Sequence, residues 1–281
     1  MARYALFDIG GTKTRISVTT SLDDIGEAVS FATPQSFEDG MVAFEEHLRV
    51  LTKGEKVDRA VGGIRGPLAH DRSTITHNDI LTDWVHKPIK DSIASMLGGG
   101  EVTLENDTAI VALGEAHYGA GKGYDIVAYH TVSTGVGGAR IVAGTLDVSS
   151  VGFEPGHQVI DADITIRPNS GADTLEELIS GTAVEARFGK KPYEIAQSDP
   201  LWNELAAYLA YGLKNTIVYW SPDVIVLGGS MMIGDPRILL ADVIRHTKLI
   251  LDDFVPLPDI KDATLADKGG LYGALAMIKG Q

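Results

Sequence analysis

The sequence contains no cysteine, which excludes disulfide bonds and thiolate metal sites. No apolar run approaches the roughly 20 residues needed to span a bilayer, and the first residues lack the cleavage site of a signal peptide. Basic clusters are also missing, and the formal net charge is −14, which disfavours binding to nucleic acid. These absences predict a cytoplasmic protein without membrane or nucleic-acid partners.

Several common catalytic motifs are missing as well. Gly121 and Lys122 are followed by Gly123 rather than Ser or Thr, and Ala116 occupies the position of the first glycine of a Walker A motif. The glycine-rich turns lie between two strands, whereas a Rossmann fingerprint lies between a strand and a helix. There is no G-x-S-x-G elbow and no H-E-x-x-H pair.

The composition that remains is that of a globular protein, with 44% apolar and 22% charged residues. A length of 281 residues suggests two domains that could enclose a cleft. Two segments, YALFDIGGTKTRISV and IVAYHTVSTGVGGARIVA, share one plan of strand, glycine turn and returning strand. This similarity predicts a duplicated α/β architecture, although glycine hairpins also recur by chance.

Hydrophobic periodicity and breaker residues predict the remaining elements. The predicted strands are 4–8, 14–20, 26–32, 57–64, 102–105, 126–132, 139–143 and 224–227. The predicted helices start at Ser36 and at Asn106-Asp107, and also cover 89–97, 174–189, 199–220, 236–251 and 269–278.

Both glycine turns are suited to bind phosphate. Gly10 and Gly11 allow backbone N–H groups to approach an anion, Thr12 adds a hydroxyl and Lys13 a positive charge. Asp8, at the end of the first strand, can orient hydrated Mg²⁺. The second turn, Ser133 to Gly138, offers the same chemistry through Thr134, Gly135 and Gly137. Each turn by itself could equally be an ordinary hairpin, but two turns facing one cleft would hold a polyphosphate.

These motifs resemble those of the ROK family of sugar kinases and sugar-responsive repressors, within the actin-like ATPase and sugar-kinase superfamily. The similar segments are D-I-G-G-T-K-T, S-T-G-V-G-G, V-I-V-L-G-G at 224–229, E-N-D at 105–107, E-P-G-H at 154–157 and L-E-E-L-I-S-G at 175–181. The resemblance covers nearly the whole chain in order. It implies two duplicated actin-like (ribonuclease H-like) α/β domains, 1–108 joined by 269–281, and 109–268, with a cleft between them.

The resemblance also implies roles for single residues. Asp107 would accept the proton of the sugar hydroxyl during phosphoryl transfer from ATP, although it could also simply cap a helix. Gly228 and Gly229 would let adenine approach the backbone, or form a plain turn at the end of a strand. The residues implied to bind sugar are Asn106, Glu154, His157, Glu176 and Asn78; for Asn78 a turn residue is the favoured interpretation.

The sequence departs from the family pattern in three places. Many relatives carry a C-x-C-G-x-x-G-C zinc cluster, but residues 167–173 read R-P-N-S-G-A-D, so no zinc is expected and His157 must be positioned otherwise. The phosphate turn begins so early that an N-terminal helix-turn-helix domain is not expected. The usual P-G-P is Arg65-Gly66-Pro67, which leaves one wall of the sugar pocket undefined.

Three functions fit the sequence to different degrees. The first is an ATP- and Mg²⁺-dependent sugar kinase acting on a hexose or N-acetylhexosamine, with glucose as the first candidate. The second is a catalytically idle sugar sensor or scaffold of the same fold. The third is an ATPase of the actin or chaperone type, which would not need the E-x-G-H motif. Homodimerisation is suggested by the resemblance alone.

Overall fold

The computed structural model describes residues 2–168 and 171–280. Within these residues no helix combines the length and the apolar character needed to cross a bilayer. The strands are β1 Tyr4–Ile9, β2 Lys13–Thr19, β3 Glu27–Ala32, β4 Arg59–Ile64, β5 Glu101–Asn106, β6 Ile126–Val132, β7 Val136–Val142, β8 Thr145–Leu146, β9 Val224–Gly228 and β10 Asp259–Asp262. The helices are α1 Phe37–Thr52, α2 Ile89–Met96, α3 Asp107–Tyr118, α4 Leu175–Ile179, α5 Gly181–Phe188, α6 Leu201–Trp220, α7 Ser230–Ile233, α8 Leu240–Leu251 and α9 Gly269–Lys279.

Contacts divide the chain into two compact units. The first comprises Met1–Tyr118, Ser149–Gly152 and Asp267–Gln281, and the second comprises Gly119–Val148 and Phe153–Ala266. The C-terminal helix α9 therefore belongs to the unit that also contains β1. The predicted division of the chain at residue 108 falls inside α3, and this helix lies whole in the first unit.

The first unit has a sheet of order β3-β2-β1-β4-β5. β1 pairs antiparallel with β2 and parallel with β4, and β4 pairs parallel with β5. The central strands are buried on both faces: Phe7 faces a core with Phe44 of α1 and Ile93 of α2. On the other face, Leu6 packs with Ile110 of α3. Helices therefore cover both faces, as a parallel sheet requires.

The second unit repeats the hairpin plan with the order β10-β9-β6-β7-β8. β6 pairs antiparallel with β7 and parallel with β9, as β1 does with β2 and β4. One core joins Ala128 and Ile225 of this sheet to Leu209 of α6 and Val243 of α8. The two sheets thus share the predicted glycine hairpin, and in both the first strand of the hairpin also pairs parallel with a later strand.

Three predicted boundaries were wrong for identifiable reasons. The helix predicted over 174–189 is two helices, because the Ser180 hydroxyl accepts from Ala183 N at 3.1 Å and starts α5. The helix predicted from 236 begins at Leu240, because Arg237 N donates to the side chain of Gln197 instead of joining a helix. β7 starts at Val136 rather than at residue 139, because Gly137 and Gly138 continue its antiparallel pairing with β6.

Candidate active site

The first glycine turn leaves two amide groups available for a ligand. Gly10 N donates to Lys13 O at 3.0 Å and closes the turn. Carbonyl groups of the turn are bound from outside, because Thr33 Oγ1 donates to Gly10 O at 2.8 Å and Thr33 N to Thr12 O at 3.1 Å. Within the described part of the chain, the N–H groups of Gly11 and Thr12 have no acceptor. Such N–H groups attract an anion.

The second glycine turn is arranged in the same way. The start of α5 binds its carbonyls: Gly181 N donates to Ser133 O at 2.7 Å, and Thr182 N donates to Thr134 O at 3.2 Å. Gly135 O accepts from Ser133 N at 2.8 Å. Among residues 2–168 and 171–280, neither Thr134 N nor Gly135 N donates a hydrogen bond. Both units therefore present a turn whose carbonyls are engaged and whose amides remain available.

Glu176 supports this second turn. Its carboxylate accepts from Val136 N at 2.6 Å, and a Cβ atom on Gly135 would lie 2.6 Å from the same oxygen. A side chain at position 135 would therefore force the Glu176 carboxylate to move, since real Cβ atoms essentially never come within 3.0 Å of another heavy atom. Gly137, predicted in the turn, lies in β7 opposite Thr131.

Asp8 is the second-last residue of β1 and lies in a cluster of charged side chains. Arg15 on β2 pairs with Asp8 at 3.5 Å and with Asp267 at 2.8 Å, and Lys13 lies 3.8 Å from Asp267. A Cβ atom on Gly270 would come within 2.7 Å of the Asp8 carboxyl carbon, so the first turn of α9 approaches this carboxyl closely. Burial, reinforced by the charges of Asp107 and Asp267, raises the pKa of Asp8 to about 7 despite the opposing effect of Arg15.

Asp107 is the first residue of α3 at the end of β5. Asn106 takes the capping role, because its Oδ1 accepts from Thr108 N at 3.0 Å and from Ala109 N at 3.1 Å. Asp107 Oδ1 also accepts from Thr108 N, at 2.8 Å. Burial raises the pKa of Asp107, and the charge of Arg65 and the Thr108 hydrogen bond act against that shift. A carboxylate with a raised pKa beside a strand end is well placed to accept a proton.

Asn78 is committed to its own loop. Its Oδ1 accepts from Ile80 N at 2.9 Å and from Leu81 N at 2.8 Å, and its Nδ2 donates to Arg65 O at 2.8 Å. Its side chain is buried, with only 6% of its surface exposed. This is the behaviour of a turn residue, the interpretation that the sequence favoured over contact with a sugar.

The E-P-G-H motif forms a 3₁₀ turn, Pro155–His157, in the second unit. Pro155 packs so closely on β7 that a Cβ atom on Gly138 would come within 2.6 Å of its ring. Glu154 precedes this anchored turn and His157 is its last residue, and both residues are exposed. The motif therefore fixes its backbone on the sheet and presents its two polar side chains to solvent.

A pocket of about 290 Å³ lies in the second unit beside the second glycine turn. Its lining residues are Ser133, Thr134, Gly181, Thr182, Glu185, Lys191, Pro192, Tyr193, Ser230, Met231, Gly234, Asp235 and Pro236. The predicted adenine residues Gly228 and Gly229 are not part of this lining. Gly228 instead lies against the Tyr129 ring, where a Cβ atom would clash. Gly229 has a positive φ of 86°, and a Cβ atom there would clash with the Val132 backbone. Ser230 and Met231, which follow them, reach the pocket.

One side chain present has the chemistry that suits Mg²⁺. Mg²⁺ is usually held by one or two carboxylates together with substrate phosphates, and Asp8 is a buried carboxylate beside the available amides of the first turn. Within the described ranges, no three histidine or acidic side chains cluster closely enough to hold a metal ion. Asn169 and Ser170, in the segment that replaces the zinc cluster of relatives, lie outside the described residues.

Sequence reasoning missed several residues around the site. Arg15 and Asp267 form an ion pair. Their contact joins β2 to the segment just before α9, and no local sequence pattern predicts a contact over that distance along the chain. Tyr193 and Lys191 line the pocket but lie in a polar loop between helices. For Arg65, the signal in the sequence is its departure from the P-G-P pattern of the family.

Comparisons with known proteins point to one family. A sequence profile of the ROK family matches residues 4–281. A glucokinase of Streptomyces coelicolor is 27% identical, covering 97% of this chain and 96% of its own. A fructokinase of Lactococcus lactis is 25% identical, covering 98% of both chains.

Structural comparison extends the agreement to the fold. The structure of a ROK glucokinase from Streptomyces griseus, in complex with glucose and AMPPNP, superposes with a TM-score of 0.80 at 25% identity over 100% of both chains. This match confirms the predicted fold with its two α/β sheets. The chain belongs to the ROK family.

Proposed function

We propose that this protein transfers the γ-phosphoryl group of ATP, with Mg²⁺, to a hydroxyl group of a hexose or N-acetylhexosamine, with glucose as the first candidate. The observation that carries the proposal is the matched pair of glycine turns. Each unit holds the turn carbonyls with its own hydrogen bonds and leaves two amides available. Each turn by itself therefore suits the binding of a phosphate group.

Sugar phosphorylation is the activity that these comparisons support at the level of the family. The similar proteins include a glucokinase and a fructokinase, and their sequence identities to this chain are nearly equal. The similarity therefore supports a sugar kinase without selecting the sugar. Glucose is preferred because the structure with glucose and AMPPNP matches the whole chain.

The second unit supplies the proposed nucleotide site. Thr134 belongs both to the second turn and to the neighbouring pocket of about 290 Å³. A pocket of this size is at the small end of ligand sites, and it suits a base and ribose held beside the turn that binds the phosphates. Tyr193 lines the pocket and is 72% exposed, which leaves its ring available for stacking on a base.

The first unit supplies the proposed chemistry. Asp107 would take the proton from the attacking sugar hydroxyl, because it is a carboxylate at the edge of the sheet with a raised pKa. Asp8 would hold hydrated Mg²⁺, which neutralises phosphate charge when bound. Lys13 and the amides of Gly11 and Thr12 would contact phosphate oxygens.

For sugar binding the structure supports some predicted residues more than others. Glu154 and His157 remain candidates because both are exposed beside a rigid turn. Asn106 and Asn78 have their amide groups engaged by backbone atoms, and the Glu176 carboxylate is bound to the second turn. We therefore propose that Glu154 and His157 read sugar hydroxyls, while the other three shape the site.

The test is ADP release by the purified protein with Mg-ATP across a panel of hexoses and N-acetylhexosamines. Strong turnover is expected with one sugar class, and Asp107→Asn should lower kcat by about 100- to 10,000-fold because it removes the proton acceptor. Asp91→Asn, an exposed acid on α2, is the matched control and should retain full activity. Sugar binding without any turnover would contradict the kinase and favour a sensor, and ATP hydrolysis without sugar would favour an ATPase.

A further inference from the structure

Arg65 lies between the first glycine turn, which is proposed to bind phosphate, and Asp107, which is proposed to accept the proton. It follows β4, which lies between β1 and β5 in the first sheet. These strands end in register, with Ile9 beside Ile64 and Ile64 beside Asn106. The next position on each strand is therefore the first glycine of the phosphate turn, Arg65 and Asp107, side by side at one edge of the sheet.

The backbone and stem of Arg65 are held in place. Its N–H donates to Ile9 O at 3.0 Å, and its carbonyl accepts from Asn78 Nδ2 at 2.8 Å. The side chain runs over the phosphate turn, because a Cβ atom on Gly11 would lie 3.3 Å from Arg65 Cδ. A larger residue at position 11 would contact this stem, so the turn and the arginine are fitted to each other.

The guanidinium group of Arg65 forms only a weak ion pair, with Asp79. Its carboxylate neighbour Asp79 lies 3.7 Å away and is 73% exposed, and pairs of that kind contribute little. The guanidinium itself keeps part of its surface in solvent, with 29% of the side chain exposed. Its charge also reaches Asp107, whose pKa it lowers. An incoming anion could therefore replace Asp79 at small cost.

We propose that Arg65 is a catalytic residue whose guanidinium binds the phosphoryl group during its transfer from ATP to the sugar; this inference rests on the proposed kinase function. In that step the bond from the γ-phosphorus to the bridging oxygen breaks, and its electron pair leaves with ADP. A sugar oxygen forms the new bond to phosphorus, and its proton passes to the Asp107 carboxylate. Arg65 exchanges no proton and donates hydrogen bonds to the phosphoryl oxygens, where charge is concentrated.

The experiment compares Arg65→Gln, Arg65→Lys and Arg65→Ala with wild type, using the sugar that wild type turns over fastest. Arg65→Gln should lower kcat by about 100- to 1,000-fold and change the KM for sugar by less than about threefold, because the contact forms in the transition state. Arg65→Lys should recover about a tenth of wild-type kcat, since it keeps the charge without the planar fork. Added guanidinium ion should raise the kcat of Arg65→Ala but not that of Asp107→Asn.

Arg49→Gln is the matched control, because Arg49 is an exposed arginine near the end of α1 in the same unit. It should behave as wild type, and thermal unfolding will verify that every variant folds. Retention of kcat within about threefold in Arg65→Gln would overturn the inference, as would a raised sugar KM at unchanged kcat, which marks Arg65 as a sugar-binding group. If wild type itself releases no ADP with any sugar, the proposed function fails first and this inference falls with it.

Discussion

The crossing of α3 and α9 allows a sharp test of packing by Gly273→Ala. A Cβ atom at position 273 would lie 2.6 Å from the carbonyl carbon of Ile110 in α3 and closer still to its oxygen. These are backbone atoms, so no side chain can rotate away. At the same crossing, a Cβ atom on Gly114 would come within 2.9 Å of Gly273 N. The two helices must therefore separate to accept one methyl group.

The expected magnitude follows from two opposing effects. Alanine gains about 1 kcal/mol over glycine in a helix interior. Overpacking against a rigid neighbour costs about 1–3 kcal/mol and more where backbone must move, and this site belongs to the severe end. We expect Gly273→Ala to lower the free energy of unfolding by about 2 kcal/mol and the melting temperature by about 4–8 °C.

Gly280→Ala is the matched control for this experiment. Its added Cβ atom would meet its nearest neighbour, Ala276 O, at 3.6 Å, an ordinary contact, and its φ is −87°. It should be as stable as wild type or slightly more stable. Thermal unfolding followed by circular dichroism measures both variants. A Gly273→Ala protein that melts with wild type would refute the close crossing.

Two further predictions concern buried titratable groups. Because the pKa of Asp8 is raised from 3.8 to about 7, its contribution to stability is present below pH 3.8 and lost as pH rises through 7. Asp8→Asn should therefore have a higher melting temperature than wild type at pH 8 and the same melting temperature at acid pH. The variant should also lose sugar-dependent ADP release. His130 is the converse case, because burial lowers its pKa from 6.5 to about 4 and its contribution is present above pH 6.5. The unfolding free energy of wild type should fall by up to about 3 kcal/mol more than that of His130→Gln between pH 6.5 and 4, and parallel pH curves for the two proteins would exclude this role.

Much of the fold could be predicted because local signals and burial agree. β6 matches its predicted range. The helix predicted from Ser36 is α1, which begins at Phe37 with Ser36 as its cap, because Ser36 Oγ accepts from Asp39 N. β8 and β10 escaped prediction because Thr145–Leu146 is too short and D-I-K-D at 259–262 is too polar to signal a strand. β10 exists through parallel pairing with β9, which is contact over a long sequence distance.

The site was predictable only in part for a similar reason. Asp8 lies near the end of β1, two residues before a glycine, and Asp107 directly follows β5 and the cap residue Asn106; both patterns are visible in the sequence. What each side chain binds depends on segments far along the chain: Glu176 reaches Val136, and Asp267 reaches Arg15. A local pattern can therefore predict which residues could bind a ligand or react. It does not predict which of them are already bound to another segment of the chain.

The inclusion of α9 in the first unit has a consequence for biosynthesis. Gly269–Lys279 packs against β1 and α3, whereas residues 119–266 supply nearly all of the second unit. A ribosome therefore releases the early strands long before the helix that covers one face of their sheet. Until α9 emerges, Leu6 and Val61 of that face lack the contacts of Leu271 and Leu275, while all segments of the second unit's core have already been made. The half of the protein that begins first is therefore the last to have all the segments of its core.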